Sequence, residues 1–461
     1  MADKSFGVKE LNLFGSSGTP TIDSPNDLNL NASTVAISTN LTVGNKLSIS
    51  SAGIVTAIAG VVTYYGDGSK LTGISAGGFT PDSQENLYAG TTAGNASDAD
   101  TCFNVGIGYE ALKAVNQGDN NVAIGPKAGM SQTSGYGLIA IGCCAAASNQ
   151  SGNVNIAIGY YTLKSATASC NLAIGWAAGM EVTNSNFNIF LGTSAGQYNT
   201  TGSCNIALGL CAGRGNTSSK ATGLHNISLG TFSGEGLTSG QCNVFIGKQV
   251  GKNTTTGYRN IGMGDMAMQG AMTGNKNIAM GYMAMCCMVS GQGNIFLGNY
   301  AGMEGTAGNY NVFVGNEAGQ KVASGGNANV FVGQSAGWKN STGTGGVFIG
   351  AGAGKCNDTS NYNTFVGYYV GCKSSGAYNF GGGYQALGGA VLTGGCNIAI
   401  GKLAGSVMTS GNQNVLIGCV AGSGITSAER NVYIGTGSAE GSSTGNDNIA
   451  MGSYTGASNS G

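Results

Sequence analysis

Charged residues are the clearest shortage in this sequence. Only 8% of its 461 residues are Asp, Glu, Lys or Arg, against about 25% in ordinary globular domains. The formal net charge is −1, and 41% of the residues are hydrophobic. Disordered chains combine low hydrophobicity with high net charge, so we expect a folded protein. The chain also lacks a basic stripe, which argues against nucleic-acid binding.

Proline and long apolar runs are scarce as well. The chain has four prolines and no glycine at every third position, which excludes a collagen-like triple helix. No apolar run approaches the roughly 18 residues that a transmembrane helix needs. The opening MADKSFGVKELNLFGSS contains no apolar core of a signal peptide. We therefore expect neither membrane insertion nor secretion by that route.

Histidine occurs once, as His225, which limits the chemistry available. The thirteen cysteines include no CxxC pair with matching histidines, so we expect no zinc site. We interpret them mainly as small buried residues of a protein made in a reducing cytosol. The stretch GAGAGK at 350–355 lacks the first Gly and the final Ser or Thr of a phosphate-binding loop. We expect no cofactor, no metal and no enzyme activity.

Glycine is abundant instead, with 85 residues, and it recurs in a pattern. A motif of the form N-x-x-x-G, usually with an aliphatic residue after the Asn, recurs 21 times from NVGIG at 104–108 to NIAMG at 448–452, and Leu138 and Gly346 replace the Asn in two copies. Its spacing is 17 residues in most steps and 21 in one, from Gly209 to Gly230. Such a unit is too short for a strand–helix repeat or a propeller blade. The pattern predicts an all-β fold, a parallel β-roll or β-solenoid in which each repeat is one coil.

The columns of the repeat predict the role of each position. Alternate residues such as Val122 and Ile124 share one face of a strand, and we expect this aliphatic face to be the core. The closing Gly suits a corner with positive φ or a close approach of two backbones. The leading Asn predicts a ladder of side chains bonded from coil to coil. Its predicted members include Asn121, Asn155, Asn171, Asn188, Asn205, Asn243, Asn260, Asn277, Asn294, Asn311 and Asn329.

The middle residue of each strand points away from that aliphatic face and is often Ala or Phe. An exposed stripe of phenylalanines indicates a partner surface. We expect these rings to pack on identical chains around a shared trimer axis; a ligand groove and burial under the chain's own loops are the open alternatives. The residues are Phe190, Phe245, Phe296, Phe313, Phe331, Phe348 and Phe365.

The first part of the chain does not carry the recognised repeat. Residues 1–100 have nine acidic and four basic groups, whereas the remainder has a positive balance. Short alternating runs such as GIVTAIAGVVTYY at 53–65 predict β-strands. We therefore predict a β-rich attachment segment at 1–77, a linker at 78–101 and a β-roll shaft at 102–461.

The copies NVAIGPKAG, NIAIGYYTL and NIALGLCAG resemble the head repeats of trimeric autotransporter adhesins, which are parallel β-rolls wound three together. Two segments resemble fibre proteins of tailed phages, especially cyanophages: GDGSKLTGI at 66–74 and KSFGVKELNLFGSSGTPTI near the start. These resemblances imply a homotrimeric virion fibre, made in the host cytoplasm. They also imply that its N-terminus docks on tail, baseplate or neck proteins and that its shaft contacts a host-surface glycan or protein.

Two alternatives to a non-enzymatic adhesin stay open. One is a structural decoration fibre of the capsid or neck that has no receptor of its own. The other is a fibre that cleaves polysaccharide, which needs two carboxylates about 5–10 Å apart. Acidic residues are few in the shaft, but residues from adjacent coils can meet.

Overall fold

The computed structural model describes residues 81–322, 325–441 and 445–456. The chain divides into two compact units, Met1–Ile74 and Ser75–Gly461, and every described residue belongs to the second. The predicted attachment segment at 1–77 lies outside the described residues. Within the described part, each element of secondary structure is a strand of three residues, and no helix occurs.

The strands recur once per coil along the chain. Their bounds are β1 Leu87–Ala89, β2 Val105–Ile107, β3 Val122–Ile124, β4 Ile139–Ile141, β5 Ile156–Ile158, β6 Leu172–Ile174, β7 Ile189–Leu191, β8 Ile206–Leu208, β9 Ile227–Leu229, β10 Val244–Ile246, β11 Ile261–Met263, β12 Ile278–Met280, β13 Ile295–Leu297, β14 Val312–Val314, β15 Val330–Val332, β16 Val347–Ile349, β17 Thr364–Val366, β18 Phe380–Gly382, β19 Ile398–Ile400, β20 Val415–Ile417, β21 Val432–Ile434 and β22 Ile449–Met451.

Each strand pairs in parallel with the strand of the next coil, in register. Phe313 lies opposite Phe331, for example, with Val312 opposite Val330. The described strands form one sheet of 22 strands. The predicted all-β parallel solenoid with a repeat of about 17 residues is therefore confirmed. At about 4.8 Å per strand, the stack is roughly 100 Å long.

The stack begins one coil earlier than predicted. Strand β1 pairs with β2, and Leu87 lies opposite Val105. The segment NLYAG at 86–90 is a complete copy of the motif. The linker predicted at 78–101 is therefore wrong over its second part. The copy escaped notice because Tyr88 and Ala89 replace the usual small and aliphatic residues.

The corner glycine satisfies both conditions expected of it. Gly315 has a φ of +140°, and a Cβ added to it would lie 2.5 Å from the carbonyl oxygen of Gly333 in the next coil. Only glycine allows this stacking, because successive corners lie backbone against backbone.

The predicted orientation of the strands is wrong. In β3, the middle residue Ala123 is fully buried, whereas Ile124 is 38% exposed. The same pattern, with the middle residue buried and its neighbours partly exposed, runs through almost every strand. The alternation of side chains along each strand correctly predicts that the middle residue and its two neighbours lie on opposite faces. However, the interior of a coil is so narrow that it accepts one side chain per strand, so the aliphatic pair faces outward.

The phenylalanines consequently line the interior of the chain itself. Phe190, Phe245, Phe296, Phe313, Phe331, Phe348 and Phe365 are at most 1% exposed. Successive rings from Phe296 to Phe365 stack with centroids 4.5–5.2 Å apart. The proposed packing of these rings around an axis between chains is therefore wrong, because a single chain already covers them.

In many coils, a large side chain at one interior position is matched by a small one six residues away. Where the middle strand residue is Phe313, the residue six positions later is Gly319, and a Cβ there would lie 2.5 Å from the ring. Where the middle residue is Ala157, the residue six positions later is Leu163, which is also buried. In such coils the two residues together fill the interior, as close packing requires.

The leading asparagines form a buried ladder that is interrupted only where Leu138 and Gly346 take their place in the described coils. The Oδ1 atom of Asn277 accepts the backbone N–H of Asn294 at 3.0 Å and its Nδ2 group at 3.0 Å. The Nδ2 group of Asn277 also donates to the carbonyl oxygen of Gly291, 2.8 Å away. Each side chain thereby satisfies backbone groups that the tight turn leaves unpaired.

Candidate functional site

Neither set of residues singled out in the sequence lies on the surface. The phenylalanines and the ladder asparagines are all buried. They support the rod, and the residues available to a partner are those that face outward.

The outward residues of the strands form one long apolar surface. We call the first and third residues of strands β1–β22 the strand face. No charged residue occupies these positions in any of the 22 strands. Most are half-buried Val, Ile or Leu, and several exceed a third exposure, such as Ile349 and Ile400 at 40%.

The strand face is large for a soluble monomer. With a length of roughly 100 Å and a width of about 10 Å, its area is on the order of 1,000 Å². The largest apolar patch of a typical monomer is about 300–600 Å². The strand face therefore has the size and composition of a contact surface.

Exposed aromatic side chains border the strand face along both edges. On the edge before the leading Asn, the rings of Tyr362 and Tyr378 stack at 5.3 Å. On the edge beyond the corner glycine, Tyr368 and Tyr384 stack at 5.5 Å. All four are about half exposed. Aromatic rings beside a flat apolar surface are typical of protein contacts, where Tyr and Trp are enriched.

Two adjacent strands interrupt the strand face near these tyrosines. Strand β17 begins with Thr364, and β18 reads Phe380, Gly381, Gly382. A Cβ added to Gly382 would meet only Phe380 and Ile400, at 3.8 Å or more. The face therefore has a shallow notch at this point.

Charged residues lie away from the strand face, and fewer than half of those in the described residues form ion pairs. Lys113 donates to Glu110 at 2.7 Å, and this bond lowers the pKa of the Glu110 carboxyl. Arg430 binds Asp447 through two nitrogens, at 2.7 and 3.0 Å, which likewise lowers the pKa of that carboxyl. These groups are charged at neutral pH and act as surface ion pairs.

The cysteines are less buried than predicted. Three of the thirteen, Cys211, Cys286 and Cys372, are buried, and six are exposed. Burial raises the pKa of Cys286 to about 11, so that thiol is inert at neutral pH. The interpretation of the cysteines as mainly buried is therefore wrong: most occupy turn positions, where the side chain points outward.

A second polar ladder escaped the sequence analysis. Two residues before the leading Asn, Asn309 accepts the backbone N–H of Gln292 at 3.0 Å through Oδ1. In the next coil Asn327 accepts from Asn309 at 2.9 Å. The signal was present in the sequence as repeated N-x-N, for example NYN at 309–311 and NAN at 327–329.

No family model matches the chain, and no curated protein sequence matches it. In the part of the chain that the structure describes, no three His, Cys, Asp or Glu side chains are grouped to hold a metal ion. The described residues also contain no helix able to cross a membrane.

Proposed function

We propose that this protein is a non-enzymatic virion fibre that assembles as a homotrimer and contacts the host cell surface. The chains associate through the strand face, because an uncharged apolar surface of this length is stable in water only when it is covered. Two chains that bury about 1,000 Å² each exceed the roughly 800 Å² per partner of a standard interface. The resemblance of the N-terminal segment to phage fibres supports attachment through residues 1–77.

The shaft suits a fibre for a mechanical reason. Successive coils hydrogen bond to each other along the stack through their strands and turns and, in most coils, through the Asn ladder. A trimer would triple each surface site, and several fibres per particle would raise the avidity of a weak single contact.

Light scattering on the full chain tests the assembly. We expect a mass near three times 45.7 kDa. A stable monomer would contradict the role assigned to the strand face.

Adsorption competition tests the receptor role. Excess purified protein should block the attachment of particles to their host. A trimer that fails to compete would favour the alternative of a structural capsid or neck fibre without its own receptor.

A further inference from the structure

One coil departs from the uniform rod. The four residues that lengthen the step from Gly209 to Gly230 lie in a loop, 215–220. The loop leaves after Arg214, whose carbonyl oxygen accepts the Tyr198 N–H at 2.7 Å. It returns at Ala221, whose N–H donates to the Tyr198 carbonyl oxygen at 2.9 Å. The backbone of Tyr198 therefore holds both ends of the loop.

The loop interrupts the hydrogen bonds between adjacent coils. In neighbouring coils the equivalent residue donates to the coil above it, as Glu181 does to Gln197 at 2.9 Å and Gly236 to Lys252 at 2.7 Å. In the lengthened coil, the Gly215 N–H has no protein acceptor and the Glu235 carbonyl oxygen accepts no protein donor. One donor and one acceptor of the backbone are thus left open at the loop.

A groove of about 450 Å³ lies at this interruption. Its walls come from four successive coils, one of which contributes the start of the loop. The lining residues are Tyr198, Arg214, Gly215, Asn216, Thr217, Glu235, Gly236, Lys252 and Asn253. The groove is far more polar than typical drug-like pockets, which are mostly apolar, so it suits a hydrophilic ligand.

The charges in the groove are unbalanced. A single carboxylate, Glu235, lies 2.5 Å from Arg214 Nη2 and 3.9 Å from Lys252 Nζ. The Nε–H of Arg214 is buried and has no acceptor in the protein. The second ion pair of the loop, Lys220 with Glu181, is neutral by itself. The groove therefore holds one excess positive charge.

We propose that this groove binds a carboxylate-bearing sugar residue, such as a uronic acid, of a surface polysaccharide. Arg214 and Lys252 supply charge-assisted hydrogen bonds to the carboxylate. The Asn216 and Asn253 amides, the Gly215 N–H and the Glu235 carbonyl offer the mixture of donors and acceptors that sugar hydroxyls require. Tyr198 forms the apolar part of the wall. The inference rests on the proposed function, since it names the ligand class through which the fibre contacts a host.

The test compares the full chain with three variants. Deleting residues 216–219 restores the 17-residue spacing and closes the loop. Lys252→Met removes one cation and leaves the loop intact. Lys339→Met is the matched control, because Lys339 is an exposed lysine of a distant turn that pairs with Asp358 at 3.6 Å. Circular dichroism establishes that each variant keeps its β-structure.

The probes are trisaccharides of galacturonate and of glucuronate, with the neutral galactose and glucose trisaccharides beside them, measured by calorimetry and saturation-transfer NMR. We expect at least one acidic probe to bind the full chain and the Lys339→Met variant equally. Affinity should fall about tenfold in Lys252→Met, the effect of losing one charge-assisted bond, and binding should vanish in the deletion variant. Neutral probes should bind at least tenfold more weakly.

Three results would overturn the groove assignment. The deletion variant binds the acidic probe as tightly as the full chain does, the neutral probes bind as tightly as the acidic ones, or neither acidic probe binds. The adsorption competition described above separates this failure from that of the proposed function. A fibre that competes with particles equally well with and without the loop retains its receptor role but uses another surface. A fibre that binds the acidic probe yet never competes retains the groove and loses the receptor role.

Discussion

At the scale of single residues, the interior of many coils is filled by two positions that compensate each other, whereas in coils with two small residues, such as Ala123 and Gly129, leucines of the adjacent coils fill the space. Phe313 leaves no room for a side chain at Gly319, whereas Ala157 is paired with the large Leu163. The same exchange pairs Gly262 with Met268 and Gly381 with Leu387. In these coils the two residues six positions apart together fill the interior.

This compensation predicts the effect of Gly319→Ala. The new Cβ would lie 2.5 Å from the Phe313 ring, at a φ of +57°. We expect a loss of about 1–3 kcal/mol in the free energy of unfolding from overpacking, measured as a lower midpoint of denaturant unfolding.

The double variant Phe313→Ala with Gly319→Leu provides the control. It reproduces the pair found at Ala157 and Leu163, and should regain most of the stability that Phe313→Ala alone loses, about 3–5 kcal/mol. A double variant no more stable than Phe313→Ala would refute the compensation.

The asparagine ladder makes a second prediction at this scale. Asn277→Ala would leave the Gly291 carbonyl oxygen and the Asn294 N–H without their partners. Each buried unpaired group costs about 1–3 kcal/mol, so the unfolding midpoint should fall clearly. Asn299→Ala is the control, because its Oδ1 accepts an exposed N–H, that of Tyr282, at 3.1 Å, and water can replace it. Equal losses in the two variants would show that burial of the ladder does not matter.

At the scale of the elements, each strand has an inner residue that stabilises the coil and two outer residues that remain for a partner. Ile278, Ile295 and Val312 begin three adjacent strands, β12–β14, and are all partly exposed. Substitutions at these positions therefore test association separately from folding.

Changing these three residues to Lys should dissociate the assembly. The three like charges would lie about 4.8 Å apart on neighbouring strands, and burying them between chains is strongly unfavourable. We expect light scattering to show a mass near 45.7 kDa, with the circular dichroism of the β-structure retained.

Lysines at the exposed turn residues Thr273, Ser290 and Thr306 serve as the control and should leave the mass unchanged. If the strand-face variant keeps the mass of the unmodified protein, association occurs through another surface.

At the scale of the whole molecule, the shaft is a one-dimensional stack in which each coil contacts mainly its neighbours, and the long loop adds the Lys220–Glu181 ion pair across two coils. Deleting residues 278–294 removes one complete period and joins Asn277 directly to Ile295. The Asn ladder and the strand register then continue without interruption.

We expect this deletion variant to fold and to be shorter by about 4.8 Å, measured by small-angle X-ray scattering. Deleting 278–286 instead leaves half a period and should destroy the stack above the junction, with loss of β-structure. Equal behaviour of the two variants would contradict the modular stack.

The sequence by itself determined the period, the parallel stacking and the corners, because each depends on local rules. Glycine is required where φ is positive and backbones touch, as at Gly315, and side chains alternate along a strand. The leading Asn was recognisable because it recurs at the same position of the repeat, although its side chain bonds to the next coil, as Asn277 does to Gly291 and Asn294. The omission of NLYAG at 86–90 was a failure to recognise a variant copy, not a missing signal.

Only the tertiary structure decided which face of each strand is inside. Alternation places Val312 and Val314 on one face and Phe313 on the other, but does not say which face the coil encloses. That depends on the width of the closed coil, where the buried Ala318 and Gly319 leave room for one ring and no more. The interior therefore takes the single middle residue, and the aliphatic pair is left to face outward.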